Sequence, residues 1–517
     1  MALRLVDPLV GLSTMADLGF GLPPGEALRS CALATAFARR LGLPEPEVRT
    51  VYYTALLQHL GCTGFAHETA QVFGDELAMN AAAARTNFAS PRDLFATFLP
   101  ELTRGHRLAG RTRLTVAALT SGSRFGARFA TATCEVGRAM ARRLHLPDPV
   151  AEALYRVYEW WNGGGAPGGL SGDDIPAAAR LTRLAGIAAL FDGIGGAGAA
   201  VHAVTSRAGG MLDPGLVGRF APMAAALLGE LNAGDVRDRV LAAEPAPQVT
   251  IDGARLAGVA AAFGDLADLK TPYTPGHAVG VAALAGAAGV RLGLPAADVE
   301  RLRLAALLHD LGRVAISNAV WEPARALRDA EWERVRLHPY YSERILAGSA
   351  ALRPVARWAG MHHERLDGSG YHRGCTAADQ PVPVRVLAAA DAFQAMTQPR
   401  PHRTALPPEA AAAQLRHHAR GGAYDPDAAA AVIAAAGLEL PYGPAKARPT
   451  RPAGLSDREV EVLRLVARGC ANKEIARQLV ISRRTAEHHV QHIYAKIGVS
   501  SRAAAALFAA EHGLLAG

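Results

Sequence analysis

GEALRSCALATAFARRLGLPEPEVRTVYYTALLQHLGC, residues 25 to 62, lies without a gap over GHAVGVAALAGAAGVRLGLPAADVERLRLAALLHDLGR, residues 276 to 313, with 17 identities in 38 positions. A shared alanine bias does not explain this, because R-L-G-L-P and A-L-L-x-x-L-G coincide in register. Apolar residues recur at spacings of three and four, and alternating runs of Val, Ile and aromatic residues are scarce, so the pattern predicts helices throughout. Two further pairs follow in the same order. E-W-W-N-G-G-G-A-P-G-G-L from Glu159 matches E-R-L-D-G-S-G-Y-H-R-G-C from Glu364, and G-G-M-L-D-P at Gly209 matches G-G-A-Y-D-P at Gly421. The expectation is an all-α chain whose residues 1–245 and 250–437 are two tandem copies of one helical fold, with Asn80 to Arg124 left without a counterpart.

At 517 residues the chain is too long for one core, and half of it is apolar, so several globular domains are expected. Cys31, Cys62, Cys134, Cys375 and Cys470 show no CxxC spacing, which excludes a disulfide framework and a zinc knuckle and fits a reducing cytoplasm. The N-terminus lacks a leader pattern, and the Ala/Gly-rich stretches read as broken by His or Arg before membrane-spanning length, so no membrane partner is expected. Charge is more informative. Ala445 to Gly517 holds 12 Lys/Arg against 6 Asp/Glu, while the other 444 residues hold 43 against 41. The basic excess therefore sits in the tail, as expected where phosphates are met.

Residues 438–454 are proline-rich and basic and read as a linker. Beyond them, residues 455–517 are punctuated as helices: Asp457 to Arg468 ended by Gly469, Lys473 to Leu479 after Asn472, Arg483 to Ile497 between Ser482 and Gly498, and a last one from about Ser501 to His512.

In the second copy L-L-H-D-L-G-R sets His309 beside Asp310 at the end of an apolar helical run. Together with His277, His338, His362, His363 and Asp391 this makes five imidazoles and two carboxylates. Such a set exceeds what one tetrahedral zinc needs and suits two divalent ions (Fe, Mn or Zn) with one carboxylate bridging. Paired ions can bind a phosphodiester, activate a water and steady the leaving oxygen, so diester hydrolysis is the expected reaction.

With those residues in view, Gly276 to about Gly437 resembles the HD-GYP subgroup of HD-domain phosphohydrolases, bacterial enzymes acting on cyclic dinucleotides such as cyclic di-GMP. The resemblance implies His277, His309, Asp310 and Asp391 around one metal and Asp310, His338, His362 and His363 around the other. It implies catalysis through Asp310 and Arg313, and substrate binding by Arg313, Asp367, Gly368, Gly370 and Tyr371. The glutamate of three-metal members would fall at Tyr273, so two ions are expected. Three positions depart from the family pattern: Arg313 replaces the lysine of H-D-x-G-K, a lysine before Pro323 is missing, and His372 replaces the proline of GYP. In the first copy the ligand positions fall on Glu26, Gln58, His59, Val157, Tyr158 and Gly186, which build no metal site; His59, His106 and His145 read as packing or surface residues.

Leu455 to Ala505 resembles the LuxR-type DNA-binding domain over its whole length. Leu455, Val462, Leu463, Val466, Ile475, Ala476, Leu479, Val490, Ile493 and Val499 would form its core, and the turn Val480, Ile481, Ser482 would set the recognition helix. The resemblance implies Glu487, His488 and Gln491 at base edges and Lys473, Arg483, Arg484, Thr485, His492 and Lys496 at phosphates. The expected protein is a cytoplasmic, dimeric bacterial transcription regulator that binds double-stranded DNA. Its second copy would sense, and also hydrolyse, a nucleotide such as cyclic di-GMP. The alternative expectation is a phosphodiesterase that its tail merely places on DNA.

Overall fold

The structure, a computed structural model, describes residues 3–104, 107–438, 452–479 and 481–515, so residues 439–451 of the linker, His106 and Val480 lie outside the described part. It is helical from end to end; the named strands among the described residues are Leu3–Arg4 and Thr250–Ile251, paired antiparallel. Two compact units divide the chain: Met1–Gly253 with Ser317–Ala319, and Ala254–Ile316 with Val320–Gly517.

Each unit builds its helical fold from the same local devices. In the first, Asp17 accepts hydrogen bonds from the Gly25 and Ala27 amides ahead of Glu26–Arg40; in the second, Asp268 accepts from the Ala278 amide in His277–Arg291. The second helix of each motif, Glu45–Leu56 or Ala296–Leu308, runs into a 3-10 turn, Leu60–Phe65 or Leu311–Ala315. Gly61 and Gly312 sit in those turns, where a Cβ would run into the carbonyl oxygen of Thr133 or His338 respectively. Only glycine permits that approach. Later, Glu159 accepts from the Gly168 and Leu170 amides and Glu364 from the Arg373 and Cys375 amides, each carboxylate holding an identical loop closed by one bridge, Asn162 to Ser171 or Asp367 to Thr376. Arg180 pairs with Asp213 at 2.7 Å and Arg385 with Asp425 at 3.0 Å, and both aspartates cap the helix that follows.

The first unit's extra segment, where no counterpart was expected, is a helical insertion. Its helices Glu76–Arg85, Leu99–Thr103 and the front of Leu108–Arg143 share a small core of Phe73, Met79, Phe98, Leu102 and Leu114.

One expectation needs correction. The helix Ala177–Thr205 is long and apolar enough to cross a membrane by length and composition, against the expectation that His or Arg breaks the Ala/Gly-rich stretches short of that length. Arg180 and Arg183 lie in its first turns, and beyond them Asp192 and His202 are the charged or titratable residues in a run otherwise of Gly, Ala, Leu, Ile, Phe, Val and Thr. The helix is broken at Gly195 and Gly196, where φ turns to +72° at Gly196, and before the break Leu181, Leu184, Ala185, Ala188 and Ala189 are buried in the unit's core. These are marks of a kinked core helix.

The tail forms four helices, Asp457–Ala467, Asn472–Leu479, Arg483–Ile497 and Arg502–Glu511. Ser456, Ser482 and Ser501 cap three of them through their side chains, and Leu455, Val462, Leu463, Val466, Ile475 and Ile493 form the core.

Candidate metal centre and nucleic-acid interface

Helix ends gather the histidines. His309 and His362 lie just past Ala296–Leu308 and Arg353–Gly360, and His338 lies just past Asp329–Arg336, so each meets a last-turn carbonyl left without a helical partner. His309 Nδ1 donates to Ala306 O at 2.7 Å, His338 Nδ1 to Val335 O at 2.7 Å, and His362 Nδ1 to Ala359 O at 2.6 Å. His277 Nδ1 donates to Gln398 Oε1 at 2.9 Å. With each Nδ1 so committed, the Nε2 lone pair of each ring is turned into the site.

What those lone pairs face is each other and two carboxylates. His338 Nε2 lies 3.1 Å from His362 Nε2, and Asp310 Oδ1 lies 3.2 Å from the first and 3.5 Å from the second. His277 Nε2 lies 3.1 Å from Asp391 Oδ1, His309 Nε2 lies 3.6 Å from Asp310 Oδ2 and 3.7 Å from Asp391 Oδ1, and His363 Nδ1 lies 3.5 Å from Asp391 Oδ2. Buried His309 Nε2 and Asp310 Oδ1 have no hydrogen-bond partner. Three donor sets fall within 4.8 Å: His338, His362, His363; His277, His309, Asp391; and His309, Asp310, His362. Acceptors converging without donors repel one another unless a cation lies between them, so these residues fit divalent metal.

Electrostatics agree. Burial pushes Asp310 and Asp391 up, but His309 and Arg313 beside the former, and His277 and His309 beside the latter, hold both well below the usual carboxylate range. Burial pushes His277, His362 and His363 down, toward the neutral ring. His309 resists burial and rises to about 9 under the charges of Asp310 and Asp391. Ionised carboxylates and neutral imidazoles are the forms that bind metal, so Asp310, Asp391, His277, His362 and His363 stand ready, whereas His309 would have to release its proton to an incoming ion.

Around the centre, Arg313 Nη1 lies 3.3 Å from Asp310 Oδ2, with its guanidinium 4.2 Å over the Trp321 ring. Tyr371 lies 4.3 Å from His363, ring to ring. Asp367 turns inward on its own loop, accepting from Ser369 N and Oγ, while Gly368 has φ +77° and Gly370 packs on Glu364; these three shape the loop that presents Tyr371. Sequence reasoning missed Gln398 and Arg400. Arg400 donates to Tyr273 O at 2.7 Å, and burial, then Arg313, lowers it to about 10 despite the nearby Asp310 and Asp391. The run Q-P-R-P-H-R soon after Asp391 was the available signal, a basic turn next to a ligand.

At the matching place in the first unit, His59 Nδ1 lies 2.8 Å from Asp17 and its ring stacks on Phe20, Gln58 donates to Ala55 O, and Tyr158 lies under Arg183. Among the described residues, every group of three metal-ligating side chains belongs to residues 277–391.

In the tail, Arg483, Arg484 and Thr485 form the exposed first turn of Arg483–Ile497, and Glu487, His488 and Gln491 lie exposed further along it. Lys473 is exposed in the first turn of Asn472–Leu479. The His488 and His492 rings stack at 5.8 Å, His492 Nδ1 lies 3.3 Å from Glu459, and Lys496 Nζ lies 2.7 Å from the same carboxylate. The six cationic or hydroxyl side chains and the three base-edge candidates thus share one small bundle, the arrangement of a helix-turn-helix.

Comparison with known proteins gives two family matches: an HD domain over residues 261–428, and the luxR family of bacterial regulatory proteins over residues 453–509. The chain is 31% identical over 406 residues to a 3'3'-cGAMP-specific phosphodiesterase 3 of Vibrio cholerae, covering 78% of this chain and 88% of that one. It is 36% identical to a cyclic di-GMP phosphodiesterase response regulator of Xanthomonas campestris, over 24% of this chain and 33% of that one. The crystal structure of a Vibrio cholerae cyclic GMP-AMP phosphodiesterase superposes with a TM-score of 0.58 at 29% identity, covering 85% of this chain and 99% of that one.

Proposed function

The chain belongs to the HD-domain family that contains the 3'3'-cGAMP-specific phosphodiesterases and ends in a luxR-family domain, and from that premise we propose a metal-dependent cyclic-dinucleotide phosphodiesterase and sensor whose tail binds DNA as a transcription regulator. The observation that carries this is the pair His338 Nε2 and His362 Nε2, 3.1 Å apart with both Nδ1 atoms committed to carbonyls. In this reading His277, His309, Asp310 and Asp391 hold one ion and Asp310, His338, His362 and His363 the other, with Fe, Mn or Zn as the candidates. Ions held there supply Lewis acidity and an acidified water. Asp310, common to both sets, would help to hold either ion, Arg313 would take a phosphate oxygen through its planar fork, and Arg400 would add a second cation nearby. Residues 1–245 are the same fold without the ligands, and residues 455–517 bind duplex DNA, as a dimer on two half-sites.

The similarity to a 3'3'-cGAMP-specific phosphodiesterase over 88% of its length supports turnover, and the bundle's contact with the metal-bearing domain supports sensing. In the second unit Leu269 packs on the DNA-binding core, Gly276 lies against Leu515, and Gly469 lies against Pro272, all just before His277. Metal analysis of purified protein tests the reading: about two ions per chain, lost in His309→Ala with Asp310→Ala, are expected. Stoichiometric metal persisting in that variant would place it elsewhere.

A further inference from the structure

Beside the metal centre lie the cations Arg313 and Arg400 and a group of aromatic rings. Tyr371 lies against His363, Trp332 stands edge-on to Tyr371 at 6.4 Å, and Tyr371 and Trp321, the latter under the Arg313 guanidinium, pack on Ile316, Val320 and Val335. Trp332 is 41% exposed, and Leu337 and Tyr340, on either side of His338 in sequence, are 38% and 40% exposed. Trp332 is held for this. Its helix, Asp329–Arg336, is fixed at its start by Glu331, whose carboxylate accepts from Arg325 at 2.8 Å, from the Arg328 guanidinium at 2.7 Å and from the Arg328 amide at 2.8 Å.

We infer that Trp332, with Tyr371, is the platform on which one base of the cyclic dinucleotide stacks while the adjoining phosphodiester lies at the metal centre, which makes Trp332 a specificity-determining residue. This rests on the phosphodiesterase reading. A planar, apolar base face suits an exposed indole, whereas the anionic backbone suits the guanidinium of Arg313 beside Asp310. No role in metal binding follows, since Trp332 reaches the histidines only through Tyr371.

The test uses the full chain loaded with Mn²⁺ and two diesters: 3'3'-cGAMP, which has bases, and methyl p-nitrophenyl phosphate, which has none. Trp332→Ala is expected to raise KM for 3'3'-cGAMP about tenfold with kcat nearly unchanged, to leave the baseless diester unaffected, and to be rescued by Trp332→Phe. Equal losses on both substrates, or no loss on either, would overturn the platform. Should the wild type cleave neither diester, the phosphodiesterase reading fails, and calorimetric affinity for 3'3'-cGAMP decides the platform separately. A tenfold weakening in Trp332→Ala then supports it; unchanged affinity, or no binding to the wild type, overturns it.

Discussion

Lys496 Nζ lies 2.7 Å from one carboxylate oxygen of Glu459, a side chain buried inside the DNA-binding bundle, and His492 Nδ1 lies 3.3 Å from the other. Two groups that would face phosphates are therefore oriented by one internal anion. Burial pushes the Glu459 carboxyl up, but hydrogen bonds from Lys496, Ser456 and His492 prevail and hold it at about 2. A carboxyl lowered on folding contributes stability that is present above its ordinary value of ~4.3 and is lost as pH falls toward its folded value. Glu459→Gln should accordingly flatten the acid limb of the full chain's unfolding between those two values, followed by circular dichroism. An acid limb identical to wild type would show that Glu459 does not titrate with folding.

Lys496 and His488 separate affinity from specificity. Lys496→Ala should weaken binding to every duplex alike and shallow the salt slope by about one, whereas His488→Ala should change the preference among sequences. Binding isotherms across a salt series and a sequence panel check both. A sequence-dependent loss in Lys496→Ala would mean that it reads bases.

Gly61 and Gly312 occupy the same turn in the two units, so equal insults should have unequal consequences. Gly61→Ala and Gly312→Ala each force a Cβ toward a carbonyl and should cost about 1–3 kcal/mol, the usual range for overpacking. Only Gly312→Ala should lower metal content, because the carbonyl it strikes belongs to His338. Thermal melts alongside metal analysis settle it, and equal metal loss in both variants would contradict the division of labour.

These contrasts show what the sequence carried. The shared Gly61 and Gly312 turns were legible through A-L-L-x-x-L-G, which recurs in register in both units, and the seven candidate ligands were legible as five His and two Asp in the order of a family pattern. The tail was legible through Ser482 and the stops Gly469 and Gly498, while Asn472, expected as a cap, begins its helix, and the caps Ser456 and Ser501 were not foreseen. Arg400 and Gln398 were not, since they act through a backbone carbonyl and an imidazole nitrogen that only the folded turn brings near. The break at Gly195 and Gly196 was hidden because glycine is compatible with either a helix or its interruption. Nothing in the insertion announced that Phe73, Phe98 and Leu114, so far apart in sequence, would share a core.

Pro272 packs against Gly469 four residues before the metal centre's Gly276, and Arg400 grips the next carbonyl, that of Tyr273. If that loop couples the two sites, the coupling is reciprocal: duplex DNA should change 3'3'-cGAMP affinity by the factor by which 3'3'-cGAMP changes DNA affinity. Calorimetry of Mn²⁺-loaded protein with each ligand, alone and with the other saturating, measures both factors. Two different factors would point to aggregation or turnover during the titration, and two factors of one would show the sites to be independent.

The most direct measurement of the central claim is cleavage itself. Mn²⁺-loaded full chain incubated with 3'3'-cGAMP and with cyclic di-GMP should yield linear products, and Asp310→Ala should abolish them while leaving DNA binding by the tail intact. Wild-type protein that carries its metal yet opens neither ring would contradict the account.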